Sequence, residues 1–171
     1  MKARIVDENV AIVANDFAKI TSKQQPMAPQ ADDRCRLESV RILRRIKDKG
    51  IAVIDDSGEV MLRYRKYLSH SGQPGVGDAF FKHLVESSYN ARRVRQVHLP
   101  KTANGEFKHF PADPELRSFD PDDRIYVALA KASAVKASIV NSVDSDYRQH
   151  AAALQRNSVV VEELCPHCLK S

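Results

Sequence analysis

Apolar residues in this chain gather in short runs, and the spacing inside the runs changes along it. "ARIVDEN" (3 to 9) starts apolar and ends polar, which predicts a buried strand, and "VAIVANDFAKI" continues apolar without a clean period. Residues 21 to 33, "TSKQQPMAPQADD", hold two prolines and few apolar groups, predicting a loop that ends in an N-cap aspartate. Leu37, Val40, Leu43 and Ile46 recur at three-residue spacing, an amphipathic helix that stops at Gly50. "IAVID" (51 to 55) predicts a second strand, and "DDSG" turns the chain into a helix carrying Val60, Met61, Tyr64 and Leu68.

"SHSGQPGVGD" (69 to 78) reads as a loop, and Phe80, Phe81, Leu84, Val85 and Ser88 mark the next helix. "RVRQVHL" alternates as a third strand does, and a polar excursion follows through residue 115. In "FDPDDRIYVALAKA", Ile125, Ala128, Leu129 and Ala132 share one helical face, and the aspartates fall in the first turn, where the helix dipole favours them. "ASIVN" predicts a fourth strand, "DSDYRQHAAALQ" a helix and "SVVVEEL" a fifth strand. Strands this short and apolar, alternating with helices, predict a three-layer α/β/α domain around a central, mainly parallel sheet of four to five strands. No repeat and no composition shift divides residues 1–171, so a single domain is expected.

Composition narrows the class. With 43% hydrophobic and 29% charged residues the chain has the balance of a soluble globular protein. No apolar run nears the roughly 18 residues of a membrane span, and the first residues lack a signal peptide's apolar region, so no membrane partner and a cytoplasmic location are expected. The three cysteines, Cys35, Cys165 and Cys168, do not form a disulfide framework, and a thiol-bearing tail is the favoured reading of "CPHC". Metal capture by Cys165, His167 and Cys168 is the alternative, although no second CxxC completes a four-ligand site. The net charge is +5, with basic stretches at 34–50, 63–66 and 91–96 around the acidic "ADPELRSFDPDD" (112 to 123). Solvated helix faces account for such a pattern, as does a polyanionic substrate held near a cation site.

The acids carry the chemistry. Asp7 ends the first predicted strand, Asp120 to Asp123 open a helix, and Asp144 and Asp146 follow the fourth strand. If strands one and four are neighbours, these carboxylates converge on a crevice at the carboxyl ends of the strands. Clustered carboxylates repel unless a cation neutralises them, and all-oxygen donors select Mg²⁺ or Mn²⁺. Read singly, each acid has a structural alternative: Asp120 as a cap before Pro121, Asp123 as a first-turn residue, Asp144 in a turn, Asp146 as a cap.

"IVDENV", "DDRIYVALA" and "IVNSVDSDY" together resemble the three anchor motifs of the PIN-domain nucleases, matched here by Asp7 and Asn9, by Asp123, and by Asp144, Asp146 and Tyr147. The middle, "VIDDSGEVMLRYRKYLSHSGQPGVGDAFFKHL", is similar to a bacterial subgroup of PIN-like proteins. The resemblance implies one PIN-like domain over residues 1–171 and a metal-dependent ribonuclease, with Mg²⁺ or Mn²⁺ held by Asp7, Asp123 and Asp144 and assisted by Asp146. By the same analogy Asn9 positions the first-strand loop or a metal-bound water. Implied partners are RNA or another single-stranded nucleic acid and, as for the toxins of toxin-antitoxin pairs, an antitoxin-like protein; a homodimer is one candidate assembly, and the sequence leaves the oligomeric state open.

One position departs from the family pattern. A further acid is expected before a Tyr or Leu on the helix after the second strand, and here Arg63 precedes Tyr64. Glu59, one turn earlier, and Glu38, on the preceding helix, are the candidate replacements. Arg63 itself either occupies the metal's place or contacts substrate phosphate, so a non-catalytic nucleic-acid-binding or regulatory PIN-like module stands beside the nuclease. Phosphotransfer of the haloacid dehalogenase type wants Asp-x-Asp after the first strand, and position 9 is Asn. Dinucleotide binding lacks its glycine fingerprint, and the histidines show no paired spacing for metal-free cleavage.

Overall fold

A computed structural model describes residues 1–168. Five strands, β1 (Ala3–Val6), β2 (Ile51–Asp55), β3 (Val94–Val97), β4 (Ala137–Asn141) and β5 (Val161–Glu163), form one sheet in the order β3-β2-β1-β4-β5. Every pairing is parallel. The three inner strands are buried throughout, and the edge strands β3 and β5 are half-open, which is why the inner ones are nearly unbroken apolar runs. Glu162 on β5 accepts from Arg4 Nε at 3.1 Å and from the Ser138 hydroxyl, a polar seam across three strands that fixes their register.

Helices α1 (Glu8–Thr21), α2 (Asp33–Lys49) and α4 (Val76–Ser87) pack on one another, α3 (Glu59–Tyr67) rests on β2, and α5 (Arg124–Ala132) packs against β4 and β1. Two short helices, α6 (Asp146–Gln149) and α7 (Ala151–Arg156), connect β4 to β5. The architecture is the expected three-layer α/β/α domain with an all-parallel sheet. Among the described residues no helix is long and apolar enough to cross a membrane.

Local chemistry sets the element ends. Asp32 caps α2 by accepting the Cys35 N–H at 2.8 Å, and Gly50 ends it. Asp55, buried at the end of β2, accepts the backbone N–H groups of Glu59 and Val60 at 2.8 and 2.9 Å and so starts α3. Buried Asp16 accepts from Met27 and Ala28, each at 2.8 Å, and pins the proline-bearing loop.

The structure corrects the sequence reading in four places. Residues 8–21, without visible period, form α1, because its apolar and polar residues are buried on most of its circumference. The loop at 69–78 ends earlier, at Gly75, since α4 begins at Val76. The helix expected after β4 breaks at His150. The thiol-bearing tail is also corrected: Cys35 and Cys165, 130 residues apart, are joined by a disulfide, and of the three cysteines only Cys168 is free.

Candidate functional site

The chain runs from β1 outward through β2 to β3, then returns to the other side of β1 as β4. The strand order therefore reverses between β1 and β4, the place where open parallel sheets put a crevice at the carboxyl ends of their strands. Asp7 leaves β1 into it, Asp144 follows β4, and Asp123 enters at the start of α5.

Asp7 also caps α1: its Oδ1 accepts the Asn9 N–H at 2.9 Å and its Oδ2 accepts the Tyr147 hydroxyl at 2.8 Å. It is 2% exposed. Burial first, and the neighbouring Glu8 charge second, raise its carboxyl well above the usual range, against the two hydrogen bonds. Asp123 sits at the N-terminus of α5 without making a capping bond, which leaves its carboxyl turned to the crevice. Burial first, then the neighbouring Asp144 carboxyl and the Asp7 charge, push it up to about 10.

The sequence reading missed Glu8. Carboxyl oxygens of Asp7, Glu8 and Asp123 lie within 4.8 Å of one another. Glu8 receives the Tyr126 hydroxyl on one oxygen and Arg63 Nη2 on the other at 2.9 Å. The same Nη2 donates to Asp123 at 3.0 Å, and the guanidinium stands 5.5 Å from the centre of the Tyr126 ring. Burial works against the Arg63 charge, and Tyr126 and Glu8 outweigh it, so its pKa is raised. Its Nε is buried without a partner. Where an acid was expected before Tyr64 on α3, Arg63 stands instead, and it pairs with Glu8.

Asn9 braces the loop after β4. Its amide donates to Asn141 Oδ1 at 3.0 Å and accepts the Ser142 N–H at 3.0 Å. Asn141 in turn donates to the Asp144 carbonyl at 2.8 Å and to Glu163 at 2.7 Å. Burial is the main reason Glu163 is raised to about 7; Asn141 opposes the shift and the Asp144 charge adds to it. Asn141 and Glu163 were not singled out from sequence, since a polar residue ending a strand carries no mark of its partners.

The remaining expected residues separate. Asp146 Oδ2 accepts the Asp120 N–H at 2.6 Å and its own N–H binds Asp144 Oδ1 at 2.8 Å, so it ties the Asp120 turn to the Asp144 loop. Asp120 caps the short turn before α5 through the Asp122 N–H at 2.9 Å. Glu38 pairs with Arg41 on the surface of α2 at 2.9 Å, and Glu59 pairs with Lys101. Neither belongs to the acidic group formed by Asp7, Glu8 and Asp123.

Beside Arg63 lies a groove of about 560 Å³ lined by Glu59, Arg65, Lys66, Phe107 and Asp122. It shares Phe107 and Pro121 with a larger hollow of about 790 Å³ that carries Lys108, Arg117 and Arg124. Arg63, which donates to Glu8 and Asp123, lines the first of them. The arrangement is a buried carboxylate cluster with a basic, partly aromatic approach. Comparison of the chain with known protein families, with curated proteins and with solved structures finds no match.

Proposed function

We propose that the protein is a PIN-like Mg²⁺- or Mn²⁺-dependent endoribonuclease. The reading rests on one observation: carboxyl oxygens of Asp7, Glu8 and Asp123 lie within 4.8 Å of one another beside the strand-order switch, and Asp144 follows β4 there. The donor set fits the ion, being hard oxygen only; burial first and neighbouring carboxyl charge second raise Asp7 and Asp123, and a bound cation would offset that charge. Asp7, Asp123 and Asp144 would hold the cation, with Glu8 as a fourth carboxylate. When bound, such an ion supplies hydroxide near neutral pH and stabilises the leaving oxygen of a phosphodiester.

The chain's own groups do the rest. Tyr147 and the Asn9 N–H fix both oxygens of Asp7, and the Asn9–Asn141–Glu163 chain sets the Asp144 loop. Arg63 stands between the acids and the groove, and its planar fork matches a phosphate. The Lys and Arg side chains along the groove suit a polyanion, and Phe107 offers a face for a base. RNA is the proposed substrate; an antitoxin-like protein and a second copy of the chain are the proposed partners.

A second reading has its own observation: Arg63 already bridges Glu8 and Asp123, as a cation would. On that reading the protein is a non-catalytic nucleic-acid-binding module. Labelled single-stranded RNA and DNA, incubated with Mg²⁺, Mn²⁺ or chelator beside an Asp7→Asn, Asp123→Asn double variant, separate the two. Metal-dependent RNA cleavage lost in the variant supports the nuclease. Salt-sensitive binding without cleavage, retained in the variant, supports the module.

A further inference from the structure

Away from the acidic crevice, the C-terminal tail folds back on the start of α2. Cys165 is bonded to Cys35, and the Cys168 N–H closes a turn on the Cys165 carbonyl at 3.0 Å. Asp32 is the hub of this corner. Its Oδ1 accepts the Cys35 N–H at 2.8 Å, its Oδ2 holds His167 Nε2 at 2.8 Å, and the Cys168 sulfur lies close by. Ligand atoms of Asp32, His167 and Cys168 fall within 4.8 Å of one another. Val13, Ala28 and Ala31 wall the two bonded cysteines with small apolar groups.

We propose that, once the disulfide is reduced, Cys35, Cys165, Cys168 and His167 bind one Zn²⁺, with Asp32 holding the far nitrogen of His167. The half-site of CxxC spacing that the sequence offers is completed by a thiol from the first turn of α2. Three thiolates and one imidazole are a closed structural zinc set, and the borderline-soft ion prefers them to the all-oxygen crevice. A carboxylate behind a ligating histidine fixes its tautomer and ring orientation, as Asp32 does for His167. The N-terminus of the 17-residue α2 adds a positive dipole beneath the anionic cluster.

The exchange balances. A dithiol reductant gives two electrons and two protons to the S–S bond and becomes a disulfide, leaving Cys35 and Cys165 as thiols. On metal binding those two thiols and Cys168 each release one proton to solvent. The corner thus has two closed forms, one by disulfide and one by zinc, and both tie the tail to α2.

Zinc content after desalting, measured on the whole chain with and without tris(2-carboxyethyl)phosphine, tests the proposal; the phosphine supplies the two electrons and ends as its oxide. The expected result is one Zn²⁺ per chain in the reduced protein and none in the oxidised, with Co²⁺ giving thiolate charge-transfer and tetrahedral d–d absorption. Cys168→Ser should weaken Zn²⁺ binding by more than about a hundredfold, since it removes a ligand where an outer partner alone is worth about 10–100-fold. Asp32→Asn keeps a capping oxygen for α2 and should weaken it by about tenfold. The Asp7→Asn, Asp123→Asn variant should bind Zn²⁺ as the parent does. A reduced protein that takes up no zinc, a Cys168→Ser variant that binds as tightly as the parent, or zinc lost with the crevice acids would each overturn the proposal.

Discussion

Arg63 and Asp123, 60 residues apart, are joined by an ion pair of 3.0 Å, and the same nitrogen reaches Glu8 at 2.9 Å. One guanidinium thus bridges two carboxyl groups of the cluster. Removing one partner of a buried pair leaves charge uncompensated and costs about 3 kcal/mol. Arg63→Gln should therefore lower the stability of the metal-free protein by about that much in urea unfolding. Added Mg²⁺ should stabilise the variant more than it stabilises the parent. Loss of one charge-assisted hydrogen bond to phosphate, about 1.5 kcal/mol, should also raise KM for RNA about tenfold. A variant as stable as the parent and no more responsive to Mg²⁺ would show that Arg63 does not hold the cation's place.

The raised carboxyls fix the sign of the pH dependence. An aspartate in the unfolded chain titrates near about 3.9, whereas Asp123 is pushed up to about 10, so between these values the folded chain keeps a proton that the unfolded chain has lost. The contribution of Asp123 to stability is then full below about pH 4 and declines as pH rises toward about 10. Glu163, raised to about 7, acts in the same direction over the lower part of that window. A cation bound by Asp123 displaces the proton on its carboxyl, so apparent Mg²⁺ affinity should rise with pH, by up to about tenfold per unit for each proton released. Thermal unfolding with and without Mg²⁺ at about pH 6 and about pH 8.5 reads this directly. The Mg²⁺-induced rise in Tm should be larger at the higher pH, and an equal rise at both would remove Asp123 from the ligand set.

The strands and the placing of Asp7, Asp123 and Asp144 at their carboxyl ends were legible because buried parallel strands are short apolar runs and because a switch point follows from the strand order. Helix α1 was not legible, since burial on most sides erases the period that marks an amphipathic helix. Missing α1 also hid Glu8, which is its first residue and was read as a strand end. The pairing of Arg63 with Glu8, 55 residues apart in sequence, left no local mark either. Likewise the Cys35–Cys165 bond spans 130 residues, and local spacing says nothing of it.

Asp146 was expected among the ligands; one of its oxygens accepts the Asp120 N–H at 2.6 Å, and it lies outside the close group of Asp7, Glu8 and Asp123. Its work is to brace the turn that delivers Asp123 against the loop that delivers Asp144. Asp144→Asn should abolish Mg²⁺-dependent stabilisation. Asp146→Ala should reduce Mg²⁺ affinity only about tenfold, the usual loss for an outer partner, and Asp146→Asn should restore most of it by keeping the acceptor. Isothermal titration of the three variants decides between bracing and ligation: an Asp146→Asn variant as impaired as Asp144→Asn would return Asp146 to the ligand set.

The position of the acids depends finally on how closely α1 and α4 approach. A Cβ built on Gly77 would stand 2.0 Å from the Ala11 carbonyl oxygen, a backbone atom that cannot turn aside. Gly77→Ala must push α4 from α1, at a cost of at least the about 1–3 kcal/mol typical of overpacking. Because Asp7 caps α1 and Glu8 is its first residue, a shift of that helix moves both acids against Asp123. The variant should therefore lose Mg²⁺-dependent stabilisation together with global stability. Gly58→Ala is the control: its φ of 84° strains an alanine, but no atom lies within 4 Å of the new methyl, so it should cost about 1 kcal/mol and leave Mg²⁺ binding unchanged. If urea unfolding shows the two variants equally stable, or if Gly77→Ala binds Mg²⁺ as the parent does, the α1–α4 contact does not set the geometry of the crevice.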